Sequence, residues 1–231
     1  MYKYELHCHT AEGSRCARTS AADMIDFYKK CGFTGVVITD HFFNGNCTVP
    51  CELKWKEKVE LYCMGYENAK KRGDEIGIDV FFGWEFGGDF ITLGLSPDWL
   101  EKHEDLDKLK ANEYFEEIHK AGGYVIHAHP FRERAWTKYM CIYPRFVDAM
   151  ETINSGNNDF ENSVADYISD KYSLTKVAGS DKHNNEPTKV AAIKLNFKAD
   201  CLKDIIDAIK CNKHSIQEYS IFENNGQYIL K

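Results

Sequence analysis

Histidines and carboxylates collect at the carboxyl ends of the predicted strands. Six of the nine histidines lie at such ends, and three acidic residues lie in the same kind of position. Imidazole nitrogens and carboxylate oxygens are common ligands of divalent metal ions, so this set predicts a metal centre. The residues are His7, His9, His41, His127, His129, His183, Asp40, Glu85 and Asp181.

The spacing within this set supports shared ligation. Residues two apart on a strand point to the same face, which groups His7 with His9 and His127 with His129. Asp181 and His183 have the same separation if their backbone stays extended. A single histidine at a strand end is usually a packing residue. However, so many polar groups at one pole would be costly to desolvate without something to bind.

Short strands alternate with helices along the chain, which indicates a parallel α/β architecture. Ser20 is the predicted N-cap of the first helix, with Asp23 at its third position and Gly32 after its end. About seven repeats favour a barrel over an open sheet, and a barrel brings all strand ends to one face. Strands are predicted at 2–9, 35–39, 80–85, 90–95, 124–128, 149–153, 176–178 and 190–197, and helices at 20–30, 101–120, 159–172 and 200–210.

Composition limits the function classes. The 231 residues are 43% hydrophobic and carry a net charge of −7, which fits one domain (1–231) and disfavours binding of long nucleic acid. No apolar run is long enough for a membrane span, and the start lacks a signal sequence. Nine scattered cysteines without a C-x-x-C pair predict reduced thiols in the cytoplasm, with Cys47 and Cys51 as loop cysteines rather than a zinc pair.

The sequence resembles the polymerase and histidinol phosphatase (PHP) superfamily over residues 2 to about 195. The order and spacing of five motifs carry the resemblance. It implies a distorted (β/α)7 barrel, similar to a TIM barrel, with two or three metal ions at its C-terminal face. The motifs are Glu5-Leu6-His7-Cys8-His9-Thr10, Ile38-Thr39-Asp40-His41, Gly83-Trp84-Glu85, Ala128-His129-Pro130 and Gly179-Ser180-Asp181-Lys182-His183.

The resemblance also implies how the ligands are shared. His7, His9, Glu85 and Asp181 would surround one metal ion, and Glu85 would bridge to a second ion that His129 also holds. His41 and His183 would serve a third ion. Asp40 is expected to orient a ligand, and His127 is expected either to bind metal or to support a residue that does.

Two positions depart from the family pattern. Many members have another histidine soon after the first motif, where this chain has Arg15 and Cys16, and another after the bridging glutamate, where it has Asp89. The number of occupied metal sites is therefore two or three. The mixed ligand set suits Zn, Mn or Fe.

The implied activity is hydrolysis of a small phosphomonoester by a metal-activated hydroxide. Asp181 or His183 is expected to assist proton transfer, a role the sequence does not separate from metal binding. Arg132, followed by Arg134 and then by Arg15 and Arg18, is predicted to contact the phosphate, because a guanidinium binds phosphate in a bidentate manner. The loops 42–72 and 131–146 would select the substrate at the barrel mouth.

Three other functions remain open. A nuclease or nucleotide phosphodiesterase of the same family would use the same metals. A metal-dependent amidohydrolase also uses His-x-His on a barrel strand, but it expects a lysine where Glu85 stands. A barrel that only binds metal or a phosphorylated ligand would release no phosphate.

Overall fold

The computed structural model describes residues 1–135, 137 and 140–231. Within them, ten strands form one sheet in the order β10-β9-β8-β1-β2-β3-β4-β5-β6-β7. Most strand side chains are buried, as expected for a sheet covered on both faces. The strands are β1 (Tyr2–Cys8), β2 (Gly35–Ile38), β3 (Asp79–Phe86), β4 (Phe90–Leu93), β5 (Tyr124–His127), β6 (Ala149–Asn154), β7 (Thr175–Gly179), β8 (Lys189–Leu195), β9 (Ser215–Asn224) and β10 (Gln227–Leu230).

The predicted α/β barrel is confirmed, and one reversed strand shows where it is distorted. The pairs β1–β2, β2–β3, β5–β6 and β6–β7 are parallel, whereas β4 runs antiparallel to both β3 and β5. Beyond β7 the chain returns to β1. The N–H of Asp181 donates to the carbonyl of His7 at 2.8 Å, and the N–H of His9 donates to the carbonyl of Lys182 at 3.0 Å. These two hydrogen bonds join the seventh strand to the first.

The described helices cover the outer side of the strands. Ser20 caps α1 as predicted, because its hydroxyl accepts from the N–H of Asp23 at 3.2 Å. The helices are α1 (Ala21–Lys30), α2 (Trp55–Ile76), α3 (Pro97–Glu101), α4 (Ala111–Lys120), α5 (Asp159–Tyr172) and α6 (Leu202–Lys210). Among them, none is long and apolar enough to cross a bilayer.

The sequence analysis mispredicted one helix and missed one hairpin. The single helix at 101–120 is divided into α3, a 3₁₀ turn (Leu106–Lys108) and α4. Ser96 caps α3 and Pro97 starts it, whereas Asp105 has φ of +67°, which no continuous helix allows. The hairpin β9–β10 was also missed.

The cysteines are all unpaired, and each lies within the described part of the chain. Cys47 is buried and its sulfur accepts from the N–H of Val49 at 3.4 Å, whereas Cys51 is exposed. The structure therefore gives this pair no common ligand geometry.

A buried polar relay anchors β3 from the side opposite the predicted ligands. The indole nitrogen of Trp84 donates to the hydroxyl of Tyr114 on α4 at 2.6 Å, and that hydroxyl also bonds Thr92 on β4. All three side chains are fully buried. Because Trp84 precedes Glu85, this relay fixes the end of β3.

We expect Tyr114→Phe to lower the free energy of unfolding by about 1–3 kcal/mol, because the buried polar atoms of Trp84 and Thr92 lose their partner. Urea unfolding followed by tryptophan fluorescence measures the change. Tyr172→Phe, at a largely exposed position, is the control and should differ little from the original protein. Equal stability of both variants would contradict the role of the relay.

Candidate metal centre

The barrel brings all seven predicted metal ligands together at one pole. They come from the end of β1, from the segments after β2, β5 and β7, and from the end of β3. Three overlapping groups of ligand atoms form, each with all its atoms within 4.8 Å of one another. The groups are His7, His9 and Glu85; His7, His129 and Asp181; and His9, His41 and His183.

The first group has the dimensions of a tetrahedral metal site once Asp181 is included. The Nε2 atoms of His7 and His9 lie 3.0 Å apart and lie 3.3 and 3.1 Å from Oδ1 of Asp181. Each also lies 3.6 Å from an oxygen of Glu85. Tetrahedral zinc with bonds of about 2.0–2.2 Å would separate its ligand atoms by about 3.3–3.6 Å. These residues therefore fit a divalent ion.

Hydrogen bonds on the far side of both rings support this fit. Nδ1 of His7 lies 3.2 Å from a carboxylate oxygen of Glu151, so this nitrogen carries the proton. Nδ1 of His9 lies 3.0 Å from the hydroxyl of Ser14, which itself donates to Asp40 at 2.7 Å. Both Nε2 lone pairs then face each other, an arrangement that needs a cation or a proton between them.

Glu85 lies between all three groups. Its Oε1 is 3.0 Å from Nε2 of His129, and its Oε2 is 2.6 Å from Nδ1 of His41. The second contact is an ion pair: burial opposes protonation of His41, but Glu85 outweighs it and raises the pKa of His41 to about 11. Glu85 is fully buried, so its carboxylate is placed to contact more than one ion.

The electrostatics of the centre follow from this crowding. Burial opposes ionisation of Glu85, but His41 and His129 outweigh it and hold the pKa of Glu85 well below its usual range. Burial also lowers the pKa of His7, but Asp181 and Glu151 reverse the effect and raise that pKa to about 9. Burial and the neighbouring histidines keep the pKa of His9 well below its usual value.

Glu151 is the main supporting residue that the sequence analysis missed. Its Oε1 orients His7, and its Oε2 accepts from the N–H of His129 at 2.9 Å and from the amide of Asn154 at 2.6 Å. The available signal was a glutamate in the middle of a predicted buried strand. Such a residue needs buried partners, because an isolated carboxylate is costly to desolvate.

Asp40 contacts Ser14, which in turn contacts the predicted ligand His9. Its carboxylate accepts from the backbone and the hydroxyl of Thr10, each at 2.6 Å, and from Ser14. Ser14 also accepts from the N–H of His41 at 3.0 Å. A short chain of hydrogen bonds therefore holds His9 and the segment of His41 together.

Two predicted ligands have unusual backbone geometry. His129 has φ of +31° and Asp181 has φ of +52°, a region that non-glycine residues seldom occupy. Each residue follows its strand after one intervening residue, so the turn aims its side chain back over the barrel pole. Strain of this kind is concentrated at functional sites.

The predicted phosphate-binding arginines have different positions. Arg134 donates to Glu161 and to the carbonyl of Gly156, each at 2.7 Å. Arg132 lines the cavity above the ligands, but its guanidinium bonds Asp181 and donates to Asn157 and Asn154, each at 2.7 Å. In this structure the guanidinium of Arg132 therefore holds Asp181 in position, and any contact with a phosphate would come in addition to that role. Arg15 and Arg18 are exposed and, within the described chain, line no part of this cavity. Their role in phosphate contact stays a prediction without support from this placement.

Between these arginines, the backbone turns Cys16 towards the cavity instead. The N–H of Arg15 bonds Asn46 at 2.9 Å and that of Arg18 bonds His183 at 2.8 Å. Burial opposes ionisation of Cys16, but His183 and His41 outweigh it and lower the pKa of the thiol to about 6. Asp89, the second departure from the family pattern, also lines the cavity.

His127 lies apart from the three ligand groups. Its ring packs against Phe90 with 4.8 Å between ring centres, and its Nδ1 has no partner among the described residues. Burial and the nearby His129 lower the pKa of His127 to about 3, so the ring is neutral. It lines the cavity, which has a volume of about 760 Å³. Residues 136, 138 and 139 of the predicted mouth loop 131–146 lie outside the described residues.

Comparison with solved structures identifies the fold as that of PHP-like proteins. A two-domain protein from Bacteroides vulgatus, containing a predicted PHP-like metal-dependent phosphoesterase, has a TM-score of 0.69 at 16% identity. The match covers 94% of this chain but only 64% of that one, so the chain spans less than two thirds of that relative. The motif-based resemblance is thereby confirmed at the level of the fold.

Two further structures share this fold. The lesion-specific endonuclease PfuEndoQ from Pyrococcus furiosus has a TM-score of 0.60 at 15% identity, with 93% of this chain and 57% of that chain covered. PsfC from Pseudomonas syringae has a TM-score of 0.58 at 14% identity, with 95% and 91% covered. No protein-family model and no curated protein matches the sequence.

We expect Glu151→Gln to weaken zinc binding about 10–100-fold, because the amide no longer holds the His7 ring with a negative charge. Isothermal titration of the metal-stripped protein with zinc measures this loss. Glu117→Gln on the exposed face of α4 is the matched control and should bind like the original protein. Unchanged affinity in Glu151→Gln would show that His7 needs no such support.

Metal affinity should rise with pH between about 6 and 9. His7 has a raised pKa of about 9, so the metal-free centre holds a proton there at neutral pH. A metal ion must displace that proton, and the competition weakens as the pH approaches 9. Calorimetry in buffers of different ionisation enthalpy should show proton release at pH 7 that declines towards pH 9. Constant affinity across this range would contradict the assignment.

Proposed function

We propose that this protein is a metal-dependent phosphoesterase that hydrolyses a small phosphomonoester, with residues 1–231 acting as a single domain. The observation that carries the proposal is the convergence of His7, His9, Glu85 and Asp181 beside a cavity that Asp181 lines. The two histidine Nε2 atoms lie 3.0 Å from each other and 3.1–3.6 Å from oxygens of the two carboxylates. The likeness to PHP-like proteins in fold and motifs supports it.

The residues divide into ligands and supporting groups. His7, His9, His41, Glu85, His129, Asp181 and His183 would hold two or three divalent ions, for which Zn, Mn and Fe are suitable. When bound, such ions supply a water of lowered pKa and positive charge for the phosphoryl oxygens. Glu151, Ser14 and Asp40 keep the imidazole nitrogens aimed at the centre.

Proton transfer falls to His183 rather than Asp181 in this proposal. Burial opposes ionisation of Asp181, but His7 and Arg132 keep its pKa well below the usual range, so it stays a carboxylate. Nδ1 of His183 lies 3.0 Å from the carbonyl of Asp181 and donates to it. The other nitrogen of this partly exposed ring is left for a ligand or for a proton on the leaving group.

Substrate size follows from the shape and charge of the pole. A cavity of about 760 Å³ accommodates a small molecule, and the net charge of −7 opposes long nucleic acid. Arg132 lies beside Asp181 on the cavity wall and, among the described residues, is the arginine or lysine that lines this cavity. Its guanidinium is shared with Asp181, so it contributes less charge than a free arginine.

The direct test is release of phosphate from an aryl phosphomonoester by protein loaded with manganese or zinc. We expect turnover that a chelator abolishes and that added metal restores. His9→Ala should lose turnover by at least about 100-fold and bind less metal, because the ring is a shared ligand. His119→Ala, on the exposed surface of α4, is the control and should keep both properties.

A bis-aryl phosphodiester tested in parallel separates monoesterase from diesterase activity. Turnover of the diester alone would favour the nuclease or nucleotide phosphodiesterase alternative. Bound metal with no turnover of either ester would favour the non-catalytic barrel. Full activity of His9→Ala would overturn the metal-centre proposal itself.

A further inference from the structure

Lys182 is a buried lysine between two predicted metal ligands, Asp181 and His183. Only 7% of its surface is exposed. Its backbone carbonyl accepts from the N–H of His9 at 3.0 Å, which fixes the residue beside the end of β1. Its side chain extends towards α1, where the ammonium lies 5.5 Å from the ring centre of Phe27. The proposed function leaves this buried charge without a role.

The ammonium of Lys182 braces the loop 183–188, which carries His183 and leads into β8. It donates to the carbonyl of Glu186 at 2.6 Å and to the hydroxyl of Thr188 at 2.9 Å. These acceptors lie four and six positions further along the chain. The side chain therefore ties the end of this loop to the point from which the loop starts.

The brace is more than the polar atoms of the loop need. Glu186 and Thr188 are exposed residues, so water is available to this segment. An ammonium group loses its hydration on burial, and a neutral carbonyl and a hydroxyl compensate only part of that loss. What Lys182 adds over water is a fixed distance between the two ends of the loop.

His183 is the cavity-lining residue whose position depends on this loop. Its carbonyl accepts from the N–H of Arg18 at 2.8 Å, and its Nδ1 donates to the carbonyl of Asp181 at 3.0 Å. Further along, the N–H of Asn185 donates to the hydroxyl of Thr19 at 3.1 Å. The ring is partly exposed, so the backbone of the loop sets where its other nitrogen points.

We propose that Lys182 is a positioning residue, whose ammonium holds the loop 183–188 so that the ring of His183 faces the metal centre and the leaving group. The described residues that form the ligand groups or line the cavity do not include Lys182, so it acts through His183. This proposal rests on the proposed function, in which His183 binds an ion or transfers a proton.

A double-mutant cycle tests whether Lys182 acts through His183. Lys182→Met keeps a long apolar side chain but removes the donor. We expect it to lower kcat for the aryl phosphomonoester by about 10–100-fold with little change in KM, because small displacements of a reacting group have effects of this size. In the His183→Ala background, the same change should cost less than about twofold, since residues that act as a unit are not additive.

Urea unfolding of the same variants separates positioning from stability. A loss of stability alone would lower turnover by the same factor in both backgrounds. Lys189→Met is the control, because it removes another hydrogen-bonded lysine, at the start of β8, and should keep the kcat of the original protein. Thr188→Val removes one acceptor from an exposed residue. It should show the same coupling to His183 if Lys182→Met does not fold.

Nitrogen NMR of the histidine-labelled, metal-free protein gives a measurement that does not depend on turnover. At alkaline pH, where the ring is neutral, His183 should carry its proton on Nδ1, because that atom donates to the carbonyl of Asp181. In Lys182→Met the ring should leave this contact, and the two tautomers should mix. Absence of the signal in His183→Ala assigns it.

The outcomes decide the two proposals separately. Additive losses of turnover in the cycle, or an unchanged Nδ1 tautomer in Lys182→Met, would overturn the role of Lys182. Phosphate release by the original protein together with either result would leave the proposed function standing. A mixed tautomer in Lys182→Met, in a protein that releases no phosphate, would support the link between Lys182 and His183 and refute the proposed function.

Discussion

The organising constraint of this molecule is a cluster of buried charge that the protein alone does not neutralise. Glu85, Asp181 and Glu151 are almost completely buried, and they converge on imidazoles whose lone pairs point inward. Removing carboxylates from water is expensive unless opposite charge compensates them. A proton on His7 and the guanidinium of Arg132 supply part of that charge. Divalent ions would supply the rest.

The surrounding structure holds this cluster in place. Trp84 and Tyr114 fix the end of β3, and with it Glu85, from the apolar side. Glu151 spans from β6 to the segment of His129. These supporting atoms come from helices and strands rather than from one loop, so the predicted ligand atoms are preorganised. Binding of an ion would therefore need little rearrangement of the side chains.

The sequence was sufficient to predict which side chains converge at the pole, but not which residues support them. His7, His9 and Asp181 follow strands at readable spacing, and the parallel barrel makes strand ends converge, so the pole was predictable. Glu151 and Ser14 were not, because their partners lie far away in the chain and no local pattern records a hydrogen bond. Arg132 lies on the cavity wall, but a sequence cannot show that Asp181 occupies its guanidinium.

Secondary structure was also predictable only where a local sequence pattern records it. Helices with clear caps, such as α1 and α5, were found at nearly their observed ends, whereas Asp105 interrupts the region between α3 and α4 with a left-handed turn that no residue type there requires. The hairpin β9–β10 carries partly exposed side chains, so its alternation was weak.

The junction of the last barrel strand with the first has a consequence for the life of the protein in the cell. The hydrogen bonds from Asp181 to His7 and from His9 to Lys182 join two ends of the chain that lie more than 170 residues apart. Three of these residues, His7, His9 and Asp181, are predicted metal ligands. If they bind the ion as proposed, closing this seam and loading the ion are thermodynamically linked. A cell short of metal would hold more of this protein with an open seam, where proteases cut, so metal supply would regulate its abundance as well as its activity.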